Sequence, residues 1–159
     1  MDRSLLDIPA EERFFEDYVA GSVYEFGSVK VDENEIIEFA QRYDPQPFHT
    51  DPVAARATQF GGVVASGWYT AGMAMKLLVK NYLPRGSSLG SPGVDQLRWH
   101  KPVRPGDILS VRVTIAETKP SQSKPDRGLL RSLVEVLNQH CEVVTSWRGM
   151  VVLLRRNKG

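Results

Sequence analysis

Asp44 and His49 stand five positions apart in the run Arg42-Tyr43-Asp44-Pro45-Gln46-Pro47-Phe48-His49-Thr50-Asp51-Pro52, with two prolines between them. A carboxylate and an imidazole that converge on one water form a general acid/base arrangement. On a helix this spacing would turn the two groups to different sides. The prolines argue against a helix, because Pro45 and Pro47 lack an amide hydrogen and push Asp44 and Gln46 toward extended backbone. The expectation is a stiff non-helical loop, which has little entropy left to lose when it aims two side chains at one point. The same residues also fit a turn in which Asp44 acts as a cap and His49 lies on the surface. Residue types alone leave both readings open.

The loop has to be held from both sides. Before it, Asp32 and Glu35 resemble a capping box, and Ile36, Phe39 and Ala40 recur at helical spacing. That helix must stop near Tyr43, because Pro45 follows Asp44. After the loop, Asp51 reads as the N-cap of a short helix with Pro52 in its first position. A second, longer helix starts near Ser66-Gly67 and stops before Pro84. Its residues Trp68, Tyr69, Met73, Ala74, Met75, Leu77, Leu78 and Val79 run round most of its circumference. It should therefore be covered by other elements, with Lys76 and Lys80 as its one wet edge.

The remaining segments read as strands. Ser22 to Val31 is the first, with Gly27 marking a bulge or bend. Gly93 to Pro102 is the second. Leu109, Val111, Val113 and Ile115 alternate with polar residues in the third, ahead of a polar loop over residues 117–127. Leu129 to Leu137 puts Leu130, Val134 and Val136 on one face. Asn138 to Cys141 then makes a hairpin connection to a last strand, Glu142 to Arg155. Consecutive strands joined by short polar turns favour an antiparallel sheet. One apolar helix beside one sheet is an α+β layer arrangement. Residues 1–13 read as a flexible N-terminal arm, Phe14, Phe15 and Tyr18 as a cluster packed on the body, and Arg156 to Gly159 as a frayed tail.

The chain has 159 residues, the size of one domain, with 20 lysines and arginines against 19 acids. That balance gives no electrostatic reason to expect nucleic acid or a membrane as partner. A single cysteine, Cys141, excludes an internal disulfide, and three scattered histidines argue against a zinc site. Cys141 itself reads as a partly buried thiol. The charged start is not a signal peptide, and no apolar run approaches membrane-spanning length, so a cytoplasmic protein is expected.

Asp44, Gln46, Pro47, His49 and Asp51-Pro52 together resemble the signature of the MaoC-like dehydratases and R-specific enoyl-CoA hydratases, Asp-x-Asn-Pro-x-His followed by an acidic residue and proline. The resemblance runs from about Phe14 to Arg155, so that residues 14–159 would form one hot-dog domain, a curved antiparallel sheet wrapped around a long central helix. It implies hydration or dehydration of an enoyl thioester, with Asp44 and His49 activating water. Gly67, at a helix start where free amides and the helix dipole favour an anion, would supply the oxyanion donor. Tyr43, Phe48 and Ser66 are the expected substrate-binding residues, although the two aromatics also fit simple packing and Ser66 a helix cap.

The substrate would be an acyl-CoA or acyl-carrier-protein thioester, with coenzyme A entering as part of the substrate and no separate cofactor. Family members pair as homodimers or higher oligomers. Two departures stand out: Gln46 replaces the usual asparagine, and Ser66 replaces the histidine of a common His-Gly step. Two other activities suit the same scaffold, a thioesterase and a non-catalytic module that binds acyl thioesters. Arg98 or Lys101 could meet the phosphates of coenzyme A, although a solvated sheet face explains them as well.

Overall fold

Residues 3–156 are described by a computed structural model. Five strands form in chain order: β1 (Val23–Lys30), β2 (Val94–Trp99), β3 (Ile108–Pro120), β4 (Arg127–Leu137) and β5 (Val143–Leu154). They make one antiparallel sheet of order β1-β3-β4-β5-β2. The alternation read in β3 becomes its inner face, where Leu109, Val111, Val113 and Ile115 are at most 1% exposed. Val111 lies opposite Val136, and Val113 opposite Val134. A one-residue slip would turn this whole row to solvent, so burial fixes the register.

Among the described residues four α-helices form: α1 (Glu33–Tyr43), α2 (Pro47–Thr50), α3 (Pro52–Arg56) and α4 (Gly67–Asn81). Asp32 caps α1 by accepting from the Glu35 amide. Asp51 caps α3 by accepting from the Val53 and Ala54 amides, as its position before Pro52 implied. The inner side of α4, Tyr69, Thr70, Ala74, Leu77 and Leu78, packs on β1, β3 and β5. Gly27 provides both the bulge and the clearance for this contact. Its φ is +82°, the register shifts between Phe26 and Val29, and an added Cβ would lie 2.8 Å from the Leu77 side chain. This is the α+β hot-dog arrangement that the resemblance implied.

Several expectations need correction. Among the described residues nothing covers the outer side of α4: Trp68 is 60% exposed, Met75 48% and Val79 55%. One sheet can bury only one side of a helix, and the apolar composition of α4 extends beyond that side. Residues 117–120, expected in a loop, continue β3 and pair with residues 128–131. Cys141 is exposed, at a positive φ of 58° in the β4–β5 turn.

The N-terminal segment is laid against the body. Leu5 is 2% exposed, and Arg13, at 5%, donates to the carbonyls of Ile8, Asn81 and Tyr82. Met1 and Asp2 lie outside the described residues. So does the expected frayed tail, apart from Arg156, whose guanidinium reaches Asp17 and the Phe14 ring. Among the described residues no helix is long and apolar enough to cross a membrane.

Candidate active site

The geometry of the acid/base pair starts at the end of α1. Asp44 closes that helix, its amide bonded to the Ala40 carbonyl at 2.9 Å, with φ −154° and ψ 67°. The Gln46 amide then folds back on the carboxylate, Nε2 donating to Asp44 Oδ1 at 2.7 Å. The segment that follows is not the non-helical loop expected. Pro47 opens the single helical turn α2, in which Thr50 N bonds to the Gln46 carbonyl. Proline is tolerated at a first helical position because its missing amide hydrogen would have no partner there. The helical turn shortens the path from Asp44 to His49 and brings His49 Nε2 to 3.3 Å from Asp44 Oδ2.

His49 is 6% exposed. Its Nδ1 lies 2.6 Å from the Val64 carbonyl oxygen. A carbonyl only accepts, so Nδ1 carries a hydrogen and it is Nε2 that faces Asp44. The Val64 amide in turn donates to the Phe48 carbonyl at 3.1 Å, so one residue of the 60–65 segment grips the reactive turn at two points. Phe48 stacks edge-on to His49 with centroids 4.4 Å apart, and against Phe60 at 5.3 Å. It buttresses the imidazole and does not line the cavity.

Asp44 stays ionised readily. Burial pushes its pKa up, but the Gln46 amide, the Ser66 hydroxyl and the charge of His49 outweigh that and hold it below the ordinary aspartate value. Ser66 is fully buried and caps α4, its Oγ accepting from the Trp68 amide at 3.3 Å. A hydroxyl has one proton to give and lone pairs to accept with, so Ser66 can serve the helix and Asp44 together.

Asp44, His49 and Gly67 line the same cavity of about 540 Å³. Tyr43 stands at its rim, 70% exposed and packed on Phe39. Gly67 is the first residue of α4, so its N–H has no partner within the helix. Trp99 covers it closely: a Cβ on Gly67 would lie 2.5 Å from the indole. Sequence reasoning missed Trp99 as a wall of the site, because the contact joins the start of α4 to the far end of β2. Lys101, which a solvated sheet face also explained, lines the cavity, and so does its neighbour His100. His100 Nε2 sits 2.6 Å from Ser146 Oγ, and Lys101 is paired with Glu142. Arg98 is not among the lining residues.

This arrangement brings Asp44 and His49 to one cavity together with a helix start whose free amide can receive developing negative charge. Among the described residues no three acidic, histidine or cysteine side chains gather as a metal site.

The model of the MaoC like domain family matches residues 17–134. A MaoC-like dehydratase from Rhodospirillum rubrum superposes with a TM-score of 0.84 at 41% identity, covering 91% of this chain and 99% of that one. A 3-hydroxybutyryl-CoA dehydratase from Methylorubrum extorquens is 32% identical over 116 residues, 70% of this chain and 69% of its own. The uncharacterized protein YdeM of Bacillus subtilis is 28% identical over 141 residues, 89% of this chain and 98% of its own.

Proposed function

The chain belongs to the MaoC-like domain family, and on that premise we propose that it adds water reversibly across the double bond of a 2-enoyl thioester to give the R-3-hydroxyacyl thioester. The observation that carries this reading is the pairing of His49 Nε2 with Asp44 Oδ2 at 3.3 Å while Nδ1 is tied to the Val64 carbonyl. Two basic atoms this close can be reached by one water, which gives up its proton to the pair as a lone pair turns toward the substrate.

In the hydration direction the water oxygen bonds to the β-carbon as its proton passes to the pair, with Asp44 the principal base. The π electrons shift to the α-carbon and thioester oxygen, where the Gly67 N–H meets the developing charge. The captured proton is then delivered to the α-carbon. The net change is one hydroxyl and one hydrogen added, so the reaction calls for no redox or metal partner. An oxyanion donor is worth roughly 3–4 kcal/mol where it has been measured. An acid/base group contributes on the order of a hundred- to ten-thousand-fold. Ser66 contributes by keeping Asp44 ionised and Tyr43 by forming the rim. Phe48 acts from behind His49, so we assign it a positioning role in place of substrate contact. The thioester is carried by coenzyme A or a carrier protein, and the working unit is a homodimer.

Incubation with crotonyl-CoA tests this directly. Asp44→Asn and His49→Ala should each slow loss of the enoyl absorbance at least a hundredfold, with the circular dichroism of the fold unchanged. Release of free thiol without loss of the enoyl group would identify a thioesterase instead. Binding of the thioester with no turnover by the parent would identify a binding module.

A further inference from the structure

A second cavity of about 330 Å³ is lined by Arg56 at the end of α3, the Gly61-Gly62 turn, and Arg104-Pro105 between β2 and β3. Phe60 and Val103 line the acid/base cavity, while their chain neighbours Gly61 and Arg104 line the second. The two segments are held together by the Ala65 amide, which donates to the Val103 carbonyl at 2.8 Å. The Arg104 turn is closed by the Asp107 amide donating to the Arg104 carbonyl, and by the Arg104 amide donating to Asp107 Oδ2.

Arg42, Arg112, Arg127, Arg131, Arg155 and Arg156 each pair with a carboxylate. Among the described residues the guanidiniums of Arg56 and Arg104 have neither an ion pair nor a side-chain hydrogen bond. Glu33 borders the same cavity at the start of α1 but reaches neither of them, so two cations face one acid. The glycine pair lines the same cavity, with open space where a Cβ on Gly61 or Gly62 would stand. Unpaired, planar guanidiniums that line one cavity with bare backbone suit a phosphate, which each can grip with two N–H donors. Lys101, the cation nearer the acid/base pair, is already neutralised by Glu142.

We propose that the Arg56/Arg104 cavity is the subsite for the phosphate at the end of the substrate's pantetheine arm. This rests on the thioester hydration reading and adds to it the means by which the carrier half of the substrate is recognised. The arm leaves the acid/base cavity over the edge formed by Phe60 and Val103 and ends between the two arginines. Coenzyme A and the phosphopantetheine of a carrier protein both present a phosphate there.

The test compares three crotonyl esters, of coenzyme A, of a phosphopantetheinylated carrier protein and of pantetheine without phosphate, on the parent and on Arg56→Ala/Arg104→Ala. Both arginines are exposed, and an unchanged Tm checks that the variant is folded. The expected result is a KM for crotonyl-CoA raised at least tenfold with kcat within twofold, while KM for the pantetheine ester stays within twofold. An equal rise with the carrier-protein ester assigns the contact to the phosphopantetheine phosphate. A rise confined to crotonyl-CoA overturns the proposal and moves the contact to the nucleotide phosphates, since the phosphate of the pantetheine arm is common to both esters. An unchanged KM for both phosphate-bearing esters overturns the proposal, as does an equal rise for the pantetheine ester. Calorimetric titration of free coenzyme A separates the two readings if the parent turns over no ester. Tenfold weaker binding by the double variant would keep the subsite while the hydratase reading fell, and equal binding would remove the subsite.

Discussion

At the scale of single residues, Asp44 is an acid whose two oxygens have separate tasks. Oδ1 is held by Gln46, and Oδ2 lies 3.3 Å from His49 Nε2. Because the Gln46 amide favours the charged carboxylate, it helps keep the Asp44 pKa below its ordinary value. A lowered folded-state pKa contributes stability above the titration range of the unfolded chain, and that contribution fades as pH falls through the folded value. Gln46→Ala should therefore raise the Asp44 titration, followed by carbon NMR of its carboxyl, and start the acid loss of stability at a higher pH. An unshifted titration in the variant would show that Gln46 has no such hold. Asp44 and His49 were legible because the whole motif is contiguous in sequence, and the departure at Gln46 was visible while its bond to Asp44 was not. The clamp by Val64 had no signal at all, since it acts through a backbone carbonyl that any residue at that position would offer.

At the scale of elements, the strands and the two long helices were legible because their apolar periods of two and of three to four residues follow directly from burial. The short turn α2 was misjudged because proline bars a helix interior yet favours its first position. The N-terminal segment was misjudged for a different reason, since Arg13 works as a buried cap in spite of its charge. Its guanidinium meets the Asn81 and Tyr82 carbonyls, which lie at the C-terminal end of α4 where carbonyls lack helical partners and the dipole favours a cation. Arg13→Ala should cost about 2–3 kcal/mol, the scale of hydrogen bonds to a charged group plus carbonyls left buried without a partner. Urea unfolding measures this, and a loss below about 0.5 kcal/mol, the range of surface substitutions, would deny the cap. At the other end of α4, Gly67→Ala forces a methyl group into the Trp99 ring. Overpacking of this kind typically costs about 1–3 kcal/mol. The loss should be recovered in large part by Gly67→Ala/Trp99→Ala, whereas a double variant no more stable than the single one would mean that the indole is not what restricts position 67.

At the scale of the whole molecule, the sheet order hides from the sequence which strand ends up beside which. β2 precedes β3 yet lies at the opposite edge from β1, beyond β5. That placement puts Trp99 at an open edge strand, where its ring meets Trp68 of α4 edge-on at 5.4 Å. Trp68, Met75 and Val79 on α4 and Val94 and Trp99 on β2 are all exposed, so helix and edge strand offer apolar surface to the same surroundings. An edge with unpaired backbone groups and apolar neighbours is a template for another chain. A second copy, arranged about a two-fold axis, would cover the edge and the α4 stripe of both partners. Light scattering should accordingly give twice the mass of one chain. Val79→Glu should give the mass of one chain, because a carboxylate would be buried without a partner at the interface. The substitution should not harm α4 itself, since glutamate is a better helix former than valine and Lys76 stands three residues before it. A parent of single-chain mass would sink the two-fold reading, and a Val79→Glu protein that still scatters as a pair would move the contact away from this stripe.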